Sequence, residues 1–199
     1  MSLVDVSSQA KEFTEEAPLT KALTKASILS DRDIVRLITD KKLIIDPYSN
    51  LPLNTSSVDL KLGPILTCYL PQTIKSGIDK TIGQEIDITG SSYTLNPGEF
   101  ILGMTKECIS IPNGYLGVIE TKGNIARAGI LVHCNDAHID AGFTGHITLE
   151  IINFNKEVSI ELVPNTPICQ LFVGKLSSEC SSTYKGKYLF QAKPTTYRP

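Results

Sequence analysis

The stretch 138-HIDAGFTGHITLEIIN-153 sets an acidic turn directly in front of a strongly β-prone run. Asp140 precedes a turn built from Ala141, Gly142, Phe143, Thr144 and Gly145, after which Ile147, Leu149 and Ile151 alternate with other residues. Successive side chains of a strand point to opposite faces, so these three share one face while His146, Thr148, Glu150 and Ile152 share the other. The first face is expected to meet a core. Glu150 then either points at water or sits in a partly enclosed site, where a carboxylate can act as a base near neutral pH. Ile152, on the same face, keeps that face from being simply polar. Asp140 has the same two readings, a turn-capping residue or a site acid.

Outward from this stretch the chain is dominated by short strand signals. "SSVDLKLG" alternates Val58, Leu60 and Leu62 against Asp59 and Lys61. "EFILGMT", "GYLGVIET", "GILVHC", "VSIELV" and "ICQLFVGKL" read the same way, separated by the turn signals "NPGE", "IPNG", "NFNKE" and "VPNT". Many short strands at this spacing predict an antiparallel sandwich, jelly roll or barrel. One helix signal precedes them, "SDRDIVRLITDKKL". Ser30 can serve as its N-cap with Asp33 three residues on, in the manner of a capping box. Ile34, Leu37 and Ile38 form its buried stripe, and Lys41 and Lys42 suit the negative end of the dipole. Three regions follow: an N-terminal extension over 1–28, a β domain over 29–179 and a basic, aromatic C-terminal arm over 180–199.

At 199 residues, 41% hydrophobic and 20% charged, the chain has the size and composition of one folded domain. A formal charge of −2 provides no global basic field, which argues against a nucleic-acid partner. The five cysteines are widely spaced with no CxxC, and are expected as reduced, mostly buried thiols of a cytoplasmic protein. No apolar run approaches the roughly 18 residues that span a bilayer, and no signal-peptide core is expected at the N-terminus.

Two further clusters bear on chemistry. "ETKGNIARAG" places Lys122, Gly123, Asn124 and Arg127 around a glycine-containing bend, whose amides and cations suit phosphate oxygens, although a solvated Lys/Arg pair is the plainer meaning. The H-x-E and P-C-x-x-C pattern of zinc-dependent deaminases is missing from the sequence, and no metal-ligand set is expected.

Taken together, "LSDRDIVRLITDKKLIIDP", "SSVDLKLG", the block from Leu95 to His133, "HIDAGFTGHITLEIIN" and "YKGKYLFQAKPT" resemble the deoxycytidine triphosphate deaminase and dUTPase superfamily, nearest the deaminase branch. The resemblance runs from about Leu29 to about Thr195. It implies a mostly β, distorted antiparallel jelly roll or β-barrel of the dUTPase-like type with a short N-terminal helix. It also implies a homotrimer with active sites at subunit interfaces, and Mg²⁺ bound through the nucleotide triphosphate. The strand glutamate, here Glu150, is then the general base for a water attacking C4 of cytosine, with Arg127 binding and polarising that water. Asp140 falls on the acidic position that activates water for cleavage between the α- and β-phosphates in dUTPases and bifunctional members, and that helps organise the sugar site in plain deaminases. Lys187 and Gln191 match tail positions that reach triphosphate and base, with Tyr184 beside them.

The chain departs from the family pattern in three places. Where the family usually reads R-S-S, this chain reads Lys122-Gly123-Asn124. The lysine keeps the charge but loses the bidentate fork, the glycine lacks a hydroxyl, and Asn124 can still donate. Asp136 stands where deaminases carry a small residue beside the base pocket, and Gln191-Ala192-Lys193 replaces Gln-Arg-Gly. The expected activity is conversion of dCTP to dUTP and ammonia without zinc. The alternatives are a dUTPase-like or bifunctional pyrophosphatase, and a nucleotide-binding homologue without turnover.

Overall fold

The computed structural model describes residues 27–48, 51–133 and 136–199. Most of the proposed 1–28 extension, and Cys134, lie outside the described residues. Strand β1 (Ser27–Ile28) leads into helix α1 (Asp31–Thr39), then β2 (Ile44–Asp46), β3 (Ser57–Lys61), β4 (Ile65–Tyr69), β5 (Gly83–Asp87) and β6 (Tyr93–Leu95). The long β7 (Phe100–Ser110) follows, then β8 (Tyr115–Thr121), the short α2 (Gly123–Arg127), β9 (Ile130–Val132) and β10 (His138–Ile139). The chain closes with β11 (Thr144–Asn153), β12 (Ile160–Leu162) and β13 (Pro167–Lys175), and its tail has no regular structure.

All pairings are antiparallel. One sheet runs β5-β4-β7-β11-β9 with β2 also on β7, and the other runs β1-β13-β8-β10 with β3 on β13. A separate β12-β6 ribbon completes the set. This is the mostly β, distorted jelly-roll arrangement the sequence predicts, made from open sheets and not from a closed barrel. Ile101 and Ile109 of β7, Leu149 and Ile151 of β11, Val58 and Leu60 of β3 and Leu171 and Val173 of β13 form its fully buried interior.

β11 keeps the predicted period-two alternation along its whole length, Gly145, Ile147, Leu149, Ile151 and Asn153 being buried and the residues between them half-buried. Its register with β7 slips once. Cys108 opposes His146 but Met104 opposes Thr148, so three residues of β7 pass a single residue of β11. The Thr105 hydroxyl accepts the Ile147 N–H that the bulge strands, at 2.9 Å. The bulge also turns Glu107 inward, where Lys61 N–H donates to its Oε2 at 2.9 Å and Oε1 has no partner among the described residues.

Four expectations need correction. Asp59 does not lie on a polar face: it is 2% exposed, and Ser57 through Leu60 are all buried because β3 is covered on both sides. Ser30 is the N-cap of α1, but its hydroxyl donates to the Asp33 carboxylate at 3.3 Å and makes no capping bond to a backbone N–H. Lys41 and Lys42 fall beyond the helix, with Lys41 in the left-handed region and Lys42 4.0 Å from Asp40, leaving Arg36 as the cation of the last turn. Cys68, Cys108, Cys169 and Cys180 are unpaired thiols, but only Cys169 is fully buried. The strands β4, β5 and β6 carried too little apolar alternation to be read in advance, β5 being the polar run Gly83–Asp87.

Burial raises the pKa of Glu107 above its ordinary value of 4.5. From that value up to the raised one the native state holds a proton the unfolded chain has lost, so stability falls as pH rises through this window. Glu107→Gln keeps the acceptor for Lys61 N–H and cannot ionise. Its urea midpoint is therefore expected to vary less than the parent's over about pH 5 to 8, with the parent losing ground toward the alkaline end.

Candidate active site

Glu150 pairs opposite Leu102 in the β7–β11 ladder, on the face that alternates with the core. That face walls a cavity of about 270 Å³. Glu150 and Thr148 line it from β11, Tyr69, Phe100 and Leu102 from the neighbouring strands, and Asp136 and His138 from the β10 side. Tyr69 and Phe100 stack with ring centroids 6.0 Å apart, forming an aromatic wall suited to a flat ring.

The C-terminal tail closes the cavity. β9 pairs with β11 only from Ile151 to Asn153, which leaves the same edge of β11 open nearer its start. The tail takes that edge: Phe190 N–H donates to Thr144 O at 2.7 Å, His146 N–H to Gln191 O at 3.1 Å, and Gln191 Nε2 to His146 O at 2.7 Å. This approach requires glycine at 145, whose φ is 151° and where a Cβ would stand 3.1 Å from Gln191 N. Tyr188, Gln191, Thr195 and Tyr197 thereby join the cavity wall. Further out, Lys193 pairs with Glu85 at 2.9 Å and Tyr197 accepts the Thr81 N–H through its carbonyl oxygen, latching the tail to the region around β5.

Two buried atoms in this wall lack partners among the described residues, Gln191 Oε1 and His133 Nδ1. A buried polar atom left unpaired costs about 1–3 kcal/mol, so a polar ligand that reaches these atoms gains affinity from them. His133 ends β9 by turning to φ 76°, while its N–H donates to Glu150 O at 2.8 Å. Burial lowers the pKa of its imidazole, against the pull of Glu150, so the ring stays neutral near neutral pH. Sequence reasoning gave His133 no place in the site. No motif marks it; the signal is its place one residue past a strand that pairs with β11. Among the described residues no group of three or more His, Cys, Asp or Glu has metal-holding geometry.

Of the residues singled out from sequence, Glu150, Asp136 and Gln191 meet in this one cavity. Asp140 stands just beyond it, 3.9 Å from the His138 ring. Tyr184 packs against Phe143 at 5.8 Å and Lys187 bonds the Arg198 carbonyl, both outside the lining. Gly123, Asn124 and Arg127 are exposed on α2, away from the cavity, with Arg127 Nη1 donating to Gly123 O at 3.2 Å. Lys122, the N-cap of α2, is committed elsewhere: its ammonium pairs with buried Asp59, which also accepts from Asn54 Nδ2 at 2.8 Å and Gln170 Nε2 at 3.0 Å.

The cavity is about 270 Å³, close to the roughly 300 Å³ at which pockets for drug-sized ligands begin, and it opens to solvent, so it has room for a flat ring whose substituents extend outward. The fold and site thus define a β protein with a base-sized pocket. Residues 28–176 match the profile of the dCTP deaminase-like family, and the chain belongs to that family. It is 36% identical over 184 residues to a dUMP-forming dCTP deaminase of Dictyoglomus thermophilum, covering 86% of this chain and 94% of that one. A protein of the same description from Rhodococcus erythropolis is 38% identical over 180 residues, covering 84% and 94%. Among solved structures, the 2′-deoxycytidine 5′-triphosphate deaminase of Agrobacterium tumefaciens superposes with a TM-score of 0.61 at 20% identity, over 76% of this chain and 48% of that one, a likeness of fold. This chain therefore spans about half the length of that structure's chain. No helix among the described residues is long and apolar enough to cross a membrane.

Lys122→Met would strand the Asp59 carboxylate in the interior with only its amide donors. Loss of one member of a buried pair costs about 3–5 kcal/mol, and a loss toward the lower end is expected here because Asn54 and Gln170 remain. Lys122→Arg should recover most of it, as read from denaturant midpoints of the three proteins.

Proposed function

We propose that this protein deaminates dCTP by direct water attack, with Glu150 as the general base and without zinc. The observation that carries the reading is the position of Glu150: a carboxylate on a strand whose alternate residues are buried, turned into a base-sized cavity with an aromatic wall. Glu150 takes a proton from water as the oxygen bonds C4, and the tetrahedral centre collapses as ammonia leaves with the transferred protons. Gln191 and His133 both line this cavity, and each carries a buried polar atom without a partner among the described residues, which supports a polar ligand there. The lack of a zinc-deaminase motif in the sequence agrees with a reaction run by the glutamate.

The substrate arrives as its Mg²⁺ complex, the ion riding on the triphosphate. The relatives' description as dUMP-forming favours a second step on the same nucleotide, dUTP plus water giving dUMP and pyrophosphate. Release at dUTP is the other reading, and binding without turnover the third.

Arg127 and the 122–124 bend lie outside the cavity of their own chain, which supports a site completed by a second copy, as in the homotrimer we propose. We place this chemistry in the cytoplasm.

Incubating the protein with Mg²⁺ and dCTP, and following ammonia and nucleotides by chromatography, tests the reading. Glu150→Gln should lower kcat by about 10²–10⁴ while the protein still binds dCTP. No ammonia from the parent protein, with saturable dCTP binding, would leave the binding-protein reading in its place. Glu150→Gln and Arg127→Ala, each nearly inactive, should regain activity when unfolded and refolded together. In a cyclic trimer mixed one to one, about a quarter of the shared sites draw both intact residues. Absence of complementation would place Arg127 and Glu150 in one chain's site or remove Arg127 from it.

A further inference from the structure

His138 has no role in the chemistry described so far, yet it lines the same cavity as Glu150 and stands between two aspartates. Its Nδ1 is 2.7 Å from Asp136 Oδ1 and its Nε2 is 3.9 Å from Asp140 Oδ1. A carboxylate offers only lone pairs, so the short contact places the proton of the neutral ring on Nδ1. Nε2 then presents a lone pair toward Asp140, which presents another. The 3.9 Å gap is too long for a hydrogen bond between them. It is suited to two acceptors holding one water. An oxygen roughly 2.8 Å from each would see them at about 90°, close to the angle between a water's own hydrogens.

We propose that His138, oriented by Asp136, is the base for the water that cleaves the triphosphate, with Asp140 holding that water's other hydrogen. The proposal rests on the dUMP-forming reading above and names the group that moves the proton in its second step. With both hydrogens held by Nε2 and the Asp140 carboxylate, the water's lone pair faces away from them. Its oxygen bonds the α-phosphorus as the bond from that phosphorus to the bridging oxygen breaks, the electron pair leaving on pyrophosphate. One water proton passes to Nε2, and the imidazolium so formed lies between the Asp136 and Asp140 carboxylates, which stabilise it. The other proton stays on the new phosphate oxygen until it ionises. Asp136 has the task of fixing the tautomer and ring direction of His138.

Direct assay on dUTP with Mg²⁺, reading pyrophosphate, separates this step from deamination. His138→Ala should lower kcat on dUTP about 100-fold with KM within threefold. Free imidazole should restore part of that rate, because the ring is 57% exposed and its place is open to solvent. Rescue also shows that the variant is folded, and His138→Gln with an unchanged urea midpoint guards the same point. Asp136→Asn should fall about tenfold and show no rescue. In His138→Ala, ammonia release from dCTP should suffer at least tenfold less than pyrophosphate release. Equal losses in the two reactions, or a loss that imidazole does not touch, would overturn the proposal. A parent protein that makes ammonia but no pyrophosphate would overturn it while leaving deamination standing. Pyrophosphate from dUTP without ammonia from dCTP would do the reverse.

Discussion

The two-residue period of β11 is the constraint on which the rest of the molecule depends. Leu149 and Ile151 are fully buried on one face, and Glu150 reaches the cavity from the other. A slip of one residue would exchange these faces, sending the carboxylate into the core and the aliphatics into the cavity. Such a slip is opposed from both edges of the strand. β7 fixes it with a ladder that the Thr105 hydroxyl repairs across the bulge, and β9 pins its far end. The tail then bonds the edge left open, through Phe190 and Gln191. The placement of one carboxylate is thus set by main-chain pairing, which tolerates little drift, and not by the torsions of a loop.

The departure at residues 122–124 has a structural consequence of its own. A guanidinium could divide its donors between Asp59 and a phosphate, because its fork is planar and carries five N–H groups. An ammonium that pairs with a fully buried carboxylate has less to give. Asp59 is already supplied by Asn54 and Gln170, so the Lys122 bond completes a buried network joining β3, β13 and the start of α2. Lys122 therefore anchors the bend, and the groups that remain exposed to meet a phosphate are the Gly123 and Asn124 positions and Arg127. The charge count of the sequence alone had overstated what this bend offers to a triphosphate.

Much of the fold was legible because long, strongly alternating strands carry their own signal. The predicted segments all found β7, β8, β11 and β13, although β7 runs on to Ser110 past "EFILGMT" and β11 starts at Thr144 inside the predicted turn, and the alternation of β11 held residue by residue. β5 was not legible, since its polar residues pair with β4 on the outside of a sheet and need no apolar face. Asp59 misled because alternation cannot tell a solvated acid from one neutralised by a lysine 63 residues later in the chain. The site divides the same way. Glu150 and Thr148 could be placed on one face from spacing alone. Tyr69, His133 and Tyr197 reach the cavity through tertiary folding, and no local pattern announces an aromatic ring that will line a wall built from distant parts of the chain.

The size of the cavity bears on how the site is completed. About 270 Å³ encloses a base and little more. Under the proposed function a bound nucleotide would carry its sugar and phosphates out toward His138 and Asp140, and no residue of α2 is among those lining the cavity. Four negative charges emerging beside Asp136 and Asp140 would meet repulsion unless cations come from elsewhere. The Mg²⁺ we propose to ride on the triphosphate would offset part of that charge. In the homotrimer we propose, the exposed Arg127 of a second copy would be one such source, and among the described residues its guanidinium is bonded to a carbonyl four residues back in the same short helix. That tether is weak enough to exchange for a phosphate or a polarised water at little cost, which is the property a residue needs if it is to serve a neighbour's site.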